Sequence, residues 1–555
     1  MSQILNRLKA LRWQDWLAVV VLVVGVGMFV SQCVSLGNRR VDDAYITFSF
    51  SKNLALGHGP VYSHGVRVEG YSNFLWMVLV ALPLVFTRGA APLAAARIME
   101  LPFVLLLVWA VYRFARSCGA SRLVAALCVL LLSFNTDLAV AYLTAMETLP
   151  YTALIALAFV TSARARLDDR WHKWAAWSWL ALALMRIDGF VPFGFLLGWM
   201  FLRTLGRRDP GRWWRFVRSY GPPVVVYLMW FAWRWHYYGM LLPSTYYAKA
   251  DIPRLIPMHG IDYVARELRD GWLWTGLVGW LWLLWCRRRS AALAGCFVVV
   301  HLIYVIAVGG DWMAFGRFVL PVVPLLVSLF VVGAADLTRS AIRSRFPLRW
   351  FVPIVPLALA CMMAGRMDHR FANTDDENER SALIEGMNTS VEGYLKVAEF
   401  LRKVVPPGGR LVTDYGGVFA YFTEGAVIEM WGLANATIAT RGNNEGIRPI
   451  YGKTCPSCYP ELRPEYFHVA EPLLRQEPAF SSADAVIAQV WQTDTIGRYI
   501  DFKADFVVGR VFRPATNESL YFLKRRDKAF PPPGAVSGGF VIDYPFEPKP
   551  NSVPN

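Results

Sequence analysis

Apolar positions run in long blocks through the first two thirds of the chain and then break up. Eleven blocks predict membrane-crossing helices: residues 16–36, 94–114, 123–134, 149–162, 174–185, 190–203, 217–235, 271–285, 291–308, 318–332 and 351–363. About 20 apolar helical residues span the hydrocarbon of a bilayer, so the shorter blocks need flanking residues to complete them. A further apolar run, 73–86, would carry Arg113, Arg116 and Arg122 to the wrong side if it crossed. It is therefore laid flat at the outer interface as an amphipathic helix. Beyond Met363 the pattern changes to short strand-like runs at 410–413, 426–430 and 506–511, with a hairpin over 506–523 that turns at 514–518. The predicted architecture is a polytopic α-helical membrane module over 1–365, with a first outer loop at 37–92. A soluble extracytoplasmic α+β domain over 366–530 and an extended Pro-rich tail over 531–555 follow.

Composition agrees with this class. Of 555 residues, 55% are hydrophobic and 18% charged, which excludes a disordered chain and argues against an ordinary soluble enzyme. The net charge of +16 sits mostly in the segments between spans, for example Arg164, Arg166, Arg170 and Lys173, or Arg287, Arg288 and Arg289. That placement is a topology signal, with no nucleic-acid partner implied. It puts the N-terminus in the cytoplasm of a multi-pass bacterial plasma-membrane protein, and an odd number of crossings puts the distal domain outside. Arg39 and Arg40 fall on the outer side against the trend. The first span is too long for a signal-peptide core and stays as an anchor. Six cysteines lie in or beside spans as apolar residues. Cys455 and Cys458, in Cys-Pro-Ser-Cys, are assigned a local disulfide on the oxidising side. A thiol-exchange pair would want a βαβ context, and zinc would want two more ligands where only His468 is near.

Ionisable groups at membrane depth are costly, so the face that collects them is informative. The outer segments hold Asp42 and Asp43; Glu69, Tyr71 and Asn73; Glu147; Arg186 and Asp188; Tyr246 and Lys249; and Asp311 and Arg317. Acids there suit proton transfer, and Arg and Lys suit a phosphate. Two adjacent carboxylates repel one another, which raises the affinity of one for a proton and suits it to accept one from a hydroxyl. The pair would equally serve to cap a helix beginning at Ala44. Arg317 and Lys249 have the alternative of anchoring at the interface, and Arg186 that of pairing with Asp188. A divalent cation held by Asp42 and Asp43 is compatible with the sequence and is not required by it.

Asp42-Asp43-Ala-Tyr-Ile, Gly-His-Gly-Pro-Val-Tyr (57–62) and Val-Glu-Gly-Tyr-Ser-Asn-Phe-Leu-Trp (68–76) resemble the GT-C glycosyltransferases that use polyprenyl-phosphate sugars. Within that superfamily they are most similar to the mycobacterial terminal arabinofuranosyltransferases. Ala-Met-Glu-Thr (145–148), Arg-Ile-Asp-Gly (186–189), the Tyr-rich run 237–249 and Gly-Gly-Asp-Trp-Met (309–313) also look like that group, with weaker likeness at 414–417 and 431–433. The resemblance implies a catalytic base in the first outer loop, Asp42 first and Asp43 second, and a donor phosphate held by Arg317, Lys249 and Arg186. Glu69, Tyr71, Asn73, Glu147, Asp188, Tyr246 and Asp311 are the expected substrate-binding residues. The expected activity is transfer of a sugar, arabinofuranose by resemblance, from a polyprenyl-phosphate donor to an envelope glycan, lipid or protein acceptor at the outer face. A lipid or solute transporter, or flippase, would use the same charges as a pathway. Their clustering at one surface and the absence of a visible repeat weigh against it.

Overall fold

The computed structural model describes residues 13–63, 65–205, 210–249, 256–311, 313, 315–343, 352–368, 375–414, 416–443, 452–468, 475–476, 480, 482–490, 493–528, 534–536 and 538–543. The chain enters as α1 (Trp13–Leu36), followed by α2 (Asp42–Ala55) and α3 (Phe74–Thr87), which pack on each other. Then come α4 (Pro92–Ser117), α5 (Arg122–Leu132), α6 (Thr136–Thr144), α7 (Thr148–Ala165), α8 (Trp171–Met185), α9 (Phe190–Leu205) and α10 (Pro210–Tyr238). After the short α11 (Ser244–Lys249) and the amphipathic α12 (Ile256–Asp270), the bundle closes with α13 (Trp274–Trp285), α14 (Arg289–Ala307), α15 (Val323–Arg343) and α16 (Ile354–Met367).

Each of the eleven apolar blocks is a helix. Five segments, Trp13–Leu36, Pro92–Ser117, Thr148–Ala165, Arg289–Ala307 and Leu320–Arg343, are long and apolar enough to cross a membrane unaided. The pair α5 and α6 passes the same test together, bent by 65°. The bend is written locally: Ser121 caps α5 by accepting from the Val124 N–H, and Asn135 starts α6 by accepting from the Leu138 N–H at 2.8 Å. α3 has 14 residues, roughly 21 Å at the helical rise, shorter than the hydrocarbon layer. Trp76, Met77, Val80 and Leu84 are buried, while Leu82, Val85 and Phe86 stay exposed. α3 thus packs one face on the bundle and turns an apolar face outward.

Because successive helices reverse direction, the connecting segments sort into two groups. α2, α3, the 145–147 turn, the 186–189 turn, Ser244–Lys249, Asp311 and Arg317 gather at one end of the bundle. Among the described residues the links from α4 to α5, α7 to α8 and α13 to α14 lie together at the other, and they carry Arg116, Arg166, Arg287 and Arg288. α13 and α15 pack backbone to backbone: a Cβ on Gly279 would lie 2.4 Å from the Leu329 carbonyl oxygen, and one on Gly333 2.8 Å from the Gly279 Cα. Small residues are what permit such an approach where lipid offers no hydrophobic drive between helices.

The distal domain starts with α17 (Asp375–Leu401) and builds an eight-stranded mixed sheet. Its first unit is β1 (Arg410–Thr413), α18 (Gly416–Phe422) and a parallel β2 (Ala426–Glu429). β3 (Tyr466–His468) joins β1 in parallel; β4 (Arg475–Gln476), β5 (Phe506–Arg513), β6 (Glu518–Arg525), β7 (Gly534–Val536) and β8 (Phe540–Asp543) are antiparallel to their neighbours. The β5–β6 hairpin runs from Phe506↔Arg525 to Arg513↔Glu518 and turns through 514–517. Cys455 and Cys458 are disulfide-bonded, Cα atoms 5.3 Å apart.

One expectation is corrected. The stretch after 530 is not all loose tail, since β7 and β8 extend the sheet beyond β5 and Phe540 and Ile542 are buried. Their short length and the prolines on either side conceal them in the sequence; residues 544–555 lie outside the described residues. The sheet domain and the bundle share one apolar core, with Val397, Leu401, Phe419 and Ile542 in the same cluster as Phe48, Trp76 and Leu149. The distal domain is thereby held against the end of the bundle where α2 sits.

Candidate active site

Asp42 and Asp43 open α2, but neither caps it, because Val41 holds the cap position without a side-chain hydrogen bond. Asp42 instead reaches across to the distal domain. Its Oδ2 accepts from the Gly417 N–H at 3.0 Å and its Oδ1 from the Val418 N–H at 2.8 Å. It thus satisfies two orphan donors at the start of α18, where a negative charge also suits the helix dipole. Gly417 makes the approach possible: a Cβ there would lie 2.0 Å from the Asp42 carbonyl oxygen. The Tyr62 hydroxyl donates to the Gly416 carbonyl, and Lys52 donates to the Tyr421 carbonyl at 2.7 Å. Burial pushes the Asp42 carboxyl up to about 6, against the pull of its two backbone donors.

Glu429, at the end of β2, was not singled out by the sequence. It is buried, accepts from the Trp431 N–H at 2.8 Å and the Ala434 N–H at 3.2 Å, and is pushed up to about 7 by burial. Its field reaches both Asp42 and Lys249. Both carboxyls hold their proton more tightly in the folded chain than near 3.8 and 4.5, their ordinary values. Stability from this pair is therefore fully present below about pH 4 and lost as pH rises through 6 to 7. The melting temperature in neutral detergent is expected to fall between pH 5 and 8, and to fall less in the Asp42→Asn, Glu429→Gln double variant. Parallel curves for the two proteins would reject the assignment.

Asp43 points elsewhere. Its side chain is 27% exposed and lies 3.9 Å from Arg317 Nη1. Removal from water raises its proton affinity, while Arg317 and then Lys249 lower it; the net direction is up. Lys249, at the end of α11, is shifted down by burial, with Asp43 the largest opposing influence. Arg317 is clamped by Asp311, at 2.7 Å from Nε and 2.9 Å from Nη2, and its guanidinium stacks 5.4 Å from the Phe318 ring. Among the described residues neither the Asp43 carboxylate nor the Lys249 ammonium has a hydrogen-bond partner. A carboxylate, an ammonium and a guanidinium thus converge from three separate segments with hydrogen-bonding capacity to spare.

Behind them runs a buried relay. Thr47 and Asn73 exchange hydrogen bonds, the Asn73 amide donates to Glu147 at 2.8 Å, and Arg186 donates to Glu147 at 3.0 Å and to Asp188 at 2.9 Å. Arg186 is thereby committed to two carboxylates, which revises its expected part in holding a phosphate. Glu69 is likewise taken, by Arg234, and Tyr71 is buried against Phe50 with its hydroxyl accepting from Tyr238 at 3.2 Å. Tyr246 is exposed. The expected set therefore divides: Asp43, Arg317 and Asp311 meet, with Lys249 in their field; Asn73, Glu147, Arg186 and Asp188 form the hydrogen-bonded group behind them; Tyr71 belongs to a separate packed core, and Glu69 pairs with Arg234. Among the described residues no group of three or more His, Cys, Asp or Glu side chains is gathered for a metal ion.

Arg234 and the Gly416-Gly417 pair were also missed. The signals were present: a lone arginine inside the aromatic run 230–238, and the weak likeness at 414–417 and 431–433.

A bundle of apolar helices with a charged cluster at one end and a sheet domain docked over it is a polytopic membrane-protein architecture of GT-C-like fold. The chain is 27% identical over 356 residues to the terminal β-(1→2)-arabinofuranosyltransferase of Corynebacterium glutamicum, a match covering 54% of this chain and only about half, 48%, of that protein. Among solved structures it resembles ArnT from Cupriavidus metallidurans bound to undecaprenyl phosphate (TM-score 0.51, 12% identity, covering 94% of this chain and 99% of that one). It also resembles the archaeal oligosaccharyltransferase AglB from Archaeoglobus fulgidus in complex with an inhibitory peptide and a dolichol-phosphate (TM-score 0.54, 10% identity, covering 92% and 74%). Residues 382–517 match a family described as Domain of unknown function (DUF8728).

Proposed function

We propose that the chain is a glycosyltransferase that moves a sugar from a polyprenyl-phosphate donor to an envelope glycan, lipid or protein acceptor at the outer face of the bacterial plasma membrane. The observation that carries this reading is the meeting of Asp43, Lys249 and Arg317 at the end of the bundle remote from the arginine-rich links. Cytoplasmic placement of those links puts the cluster and the distal domain outside. A carboxylate held above its ordinary proton affinity accepts a proton from an attacking hydroxyl. As the acceptor oxygen bonds to the anomeric carbon, the bond from that carbon to the phosphate oxygen breaks. The proton passes to Asp43 and the bonding pair leaves with the polyprenyl phosphate, whose charge Lys249 and Arg317 offset. Asp42 acts at one remove, by fixing α18 against α2, and Glu429 by holding the 431–434 turn. The similarity to glycosyltransferases, and the gathering of acids and bases together at one end while arginines alone gather at the other, leave the transporter reading without support. Reconstituted protein should transfer label from a polyprenyl-phosphate sugar, arabinofuranose being the first donor to try, and deletion in the source organism should accumulate that lipid. An unchanged lipid-linked sugar pool and unchanged envelope glycans in the deletion strain would reject the proposal.

A further inference from the structure

At the opposite end of the bundle a cavity of about 560 Å³ is lined by seven arginines: Arg113 and Arg116 from the end of α4, Arg164 and Arg166 from the end of α7, and Arg287, Arg288 and Arg289 from the turn between α13 and α14. Among the described residues no acidic side chain lines it. Arg288 is paired with Asp336 at 3.0 Å, Arg116 donates to the Ala120 carbonyl at 2.6 Å, and Arg164 stacks 4.2 Å over Trp171. Among the described residues none of the other six arginines has a carboxylate in ion-pair reach. Loop charge that only sets topology has no reason to share one enclosure, since like charges repel and are relieved by splaying into water. Here three sequence-distant segments hold guanidiniums around one space, with Val160, Ala163 and Leu167 supplying apolar wall.

We infer that this cavity binds a phosphate-bearing anion, and that its occupant is the headgroup phosphate of an anionic glycerophospholipid. The planar forks of arginine match phosphate oxygens two at a time. The cavity lies where α4, α7 and α13 end, which for membrane-crossing helices is the level of lipid headgroups, and basic pockets between membrane helices are suited to them. The α4, α7 and α14 helices that meet there run on, roughly 25–40 Å at the helical rise, to the segments that carry Asp43, Glu147 and Arg317. The ligand would therefore tie together the far ends of helices that frame the site without entering it.

The test uses the full chain in nanodiscs of mixed phosphatidylglycerol and phosphatidylcholine, with retained lipids read by native mass spectrometry. Wild type is expected to retain phosphatidylglycerol in preference, and the Arg113→Gln, Arg164→Gln, Arg166→Gln triple variant to lose about tenfold or more of that preference. A control triple of exposed arginines at the same end, Arg218→Gln, Arg339→Gln and Arg343→Gln, should stay close to wild type. Unchanged melting in pure phosphatidylcholine shows that each variant folds; should the cavity triple fail, Arg166→Gln alone must still weaken retention. Inorganic phosphate is the second arm. Saturable protection by phosphate, lost in the cavity triple, supports the phosphate chemistry. If it occurs without a lipid preference, it overturns the lipid assignment in favour of a soluble phosphate compound. Absence of both effects, or equal loss in the two triples, overturns the site.

Discussion

Replacing Asp43 with Asn is expected to lower turnover by ~10²- to 10⁴-fold, the range of general-base assistance, while leaving melting temperature and donor affinity close to wild type. The change is nearly isosteric, and among the described residues it removes only the 3.9 Å ion pair with Arg317 and no hydrogen bond. It also leaves Lys249 and Arg317 in place for the phosphate. The pH dependence should carry the same signature. Removal from water moves the Asp43 carboxyl above its ordinary value of 3.8, so the acid limb of the rate profile, where the base takes up a proton, lies above that value. In the Asn variant the residual rate should lose that limb. Asp42→Asn should behave differently, because both oxygens of that carboxylate serve α18. A lower melting temperature and a smaller loss of turnover are expected there. An Asp43→Asn enzyme with wild-type rates, beside an inactive Asp42→Asn enzyme of normal stability, would return the role of base to Asp42.

The order of those two aspartates is a fair measure of what the sequence could convey. Hydrophobic blocks announce helices because a lipid-facing segment must satisfy its own backbone and present apolar side chains; that is a local requirement, legible residue by residue. The bend after Leu132 and the helix that follows it, Thr136–Thr144, were not read, because the 123–134 block gives its length and apolarity but not the turn that breaks it. Which of two adjacent carboxylates remains available depends on what each meets, and Asp42 meets an amide 375 positions away. No local pattern encodes that. The same reason explains Arg186 and Glu69. Each has its charge absorbed by a partner remote in sequence, Glu147 at a separation of 39 and Arg234 at 165. Long-range pairing also hid β8, whose neighbour β5 is fixed by register and burial rather than by any alternation strong enough to read in four residues.

Replacing Arg234 with Met is expected to destabilise the protein by about 3–5 kcal/mol, the cost of leaving a buried charge without its partner. Arg234 is fully buried in α10; its Nε lies 2.9 and 3.1 Å from the two Glu69 oxygens, its Nη2 also reaches that carboxylate, and its Nη1 donates to the Leu241 carbonyl at 2.8 Å. The pair therefore secures both sides of the segment leading to α11. The Glu69 carbonyl accepts from the Ser244 N–H at 2.9 Å, and the Ser244 hydroxyl donates to the Gly432 carbonyl at 2.7 Å. Loosening this clamp frees the six-residue helix that ends in Lys249 as well as one attachment of the distal domain. Burial already pushes the Glu69 carboxyl upward against the pull of Arg234, so the single variant should regain part of its stability on acidification, when Glu69 takes up a proton. The Arg234→Met, Glu69→Leu double variant removes both charges and should recover most of the lost melting temperature, since apolar replacement of a buried pair is often neutral or better. If the clamp positions Lys249, that stable double variant should still show weaker donor binding, read as a raised KM with a smaller change in kcat. Full recovery of both stability and KM would reduce the pair to packing, and a double variant no more stable than Arg234→Met would mean the cost lay outside the ion pair altogether.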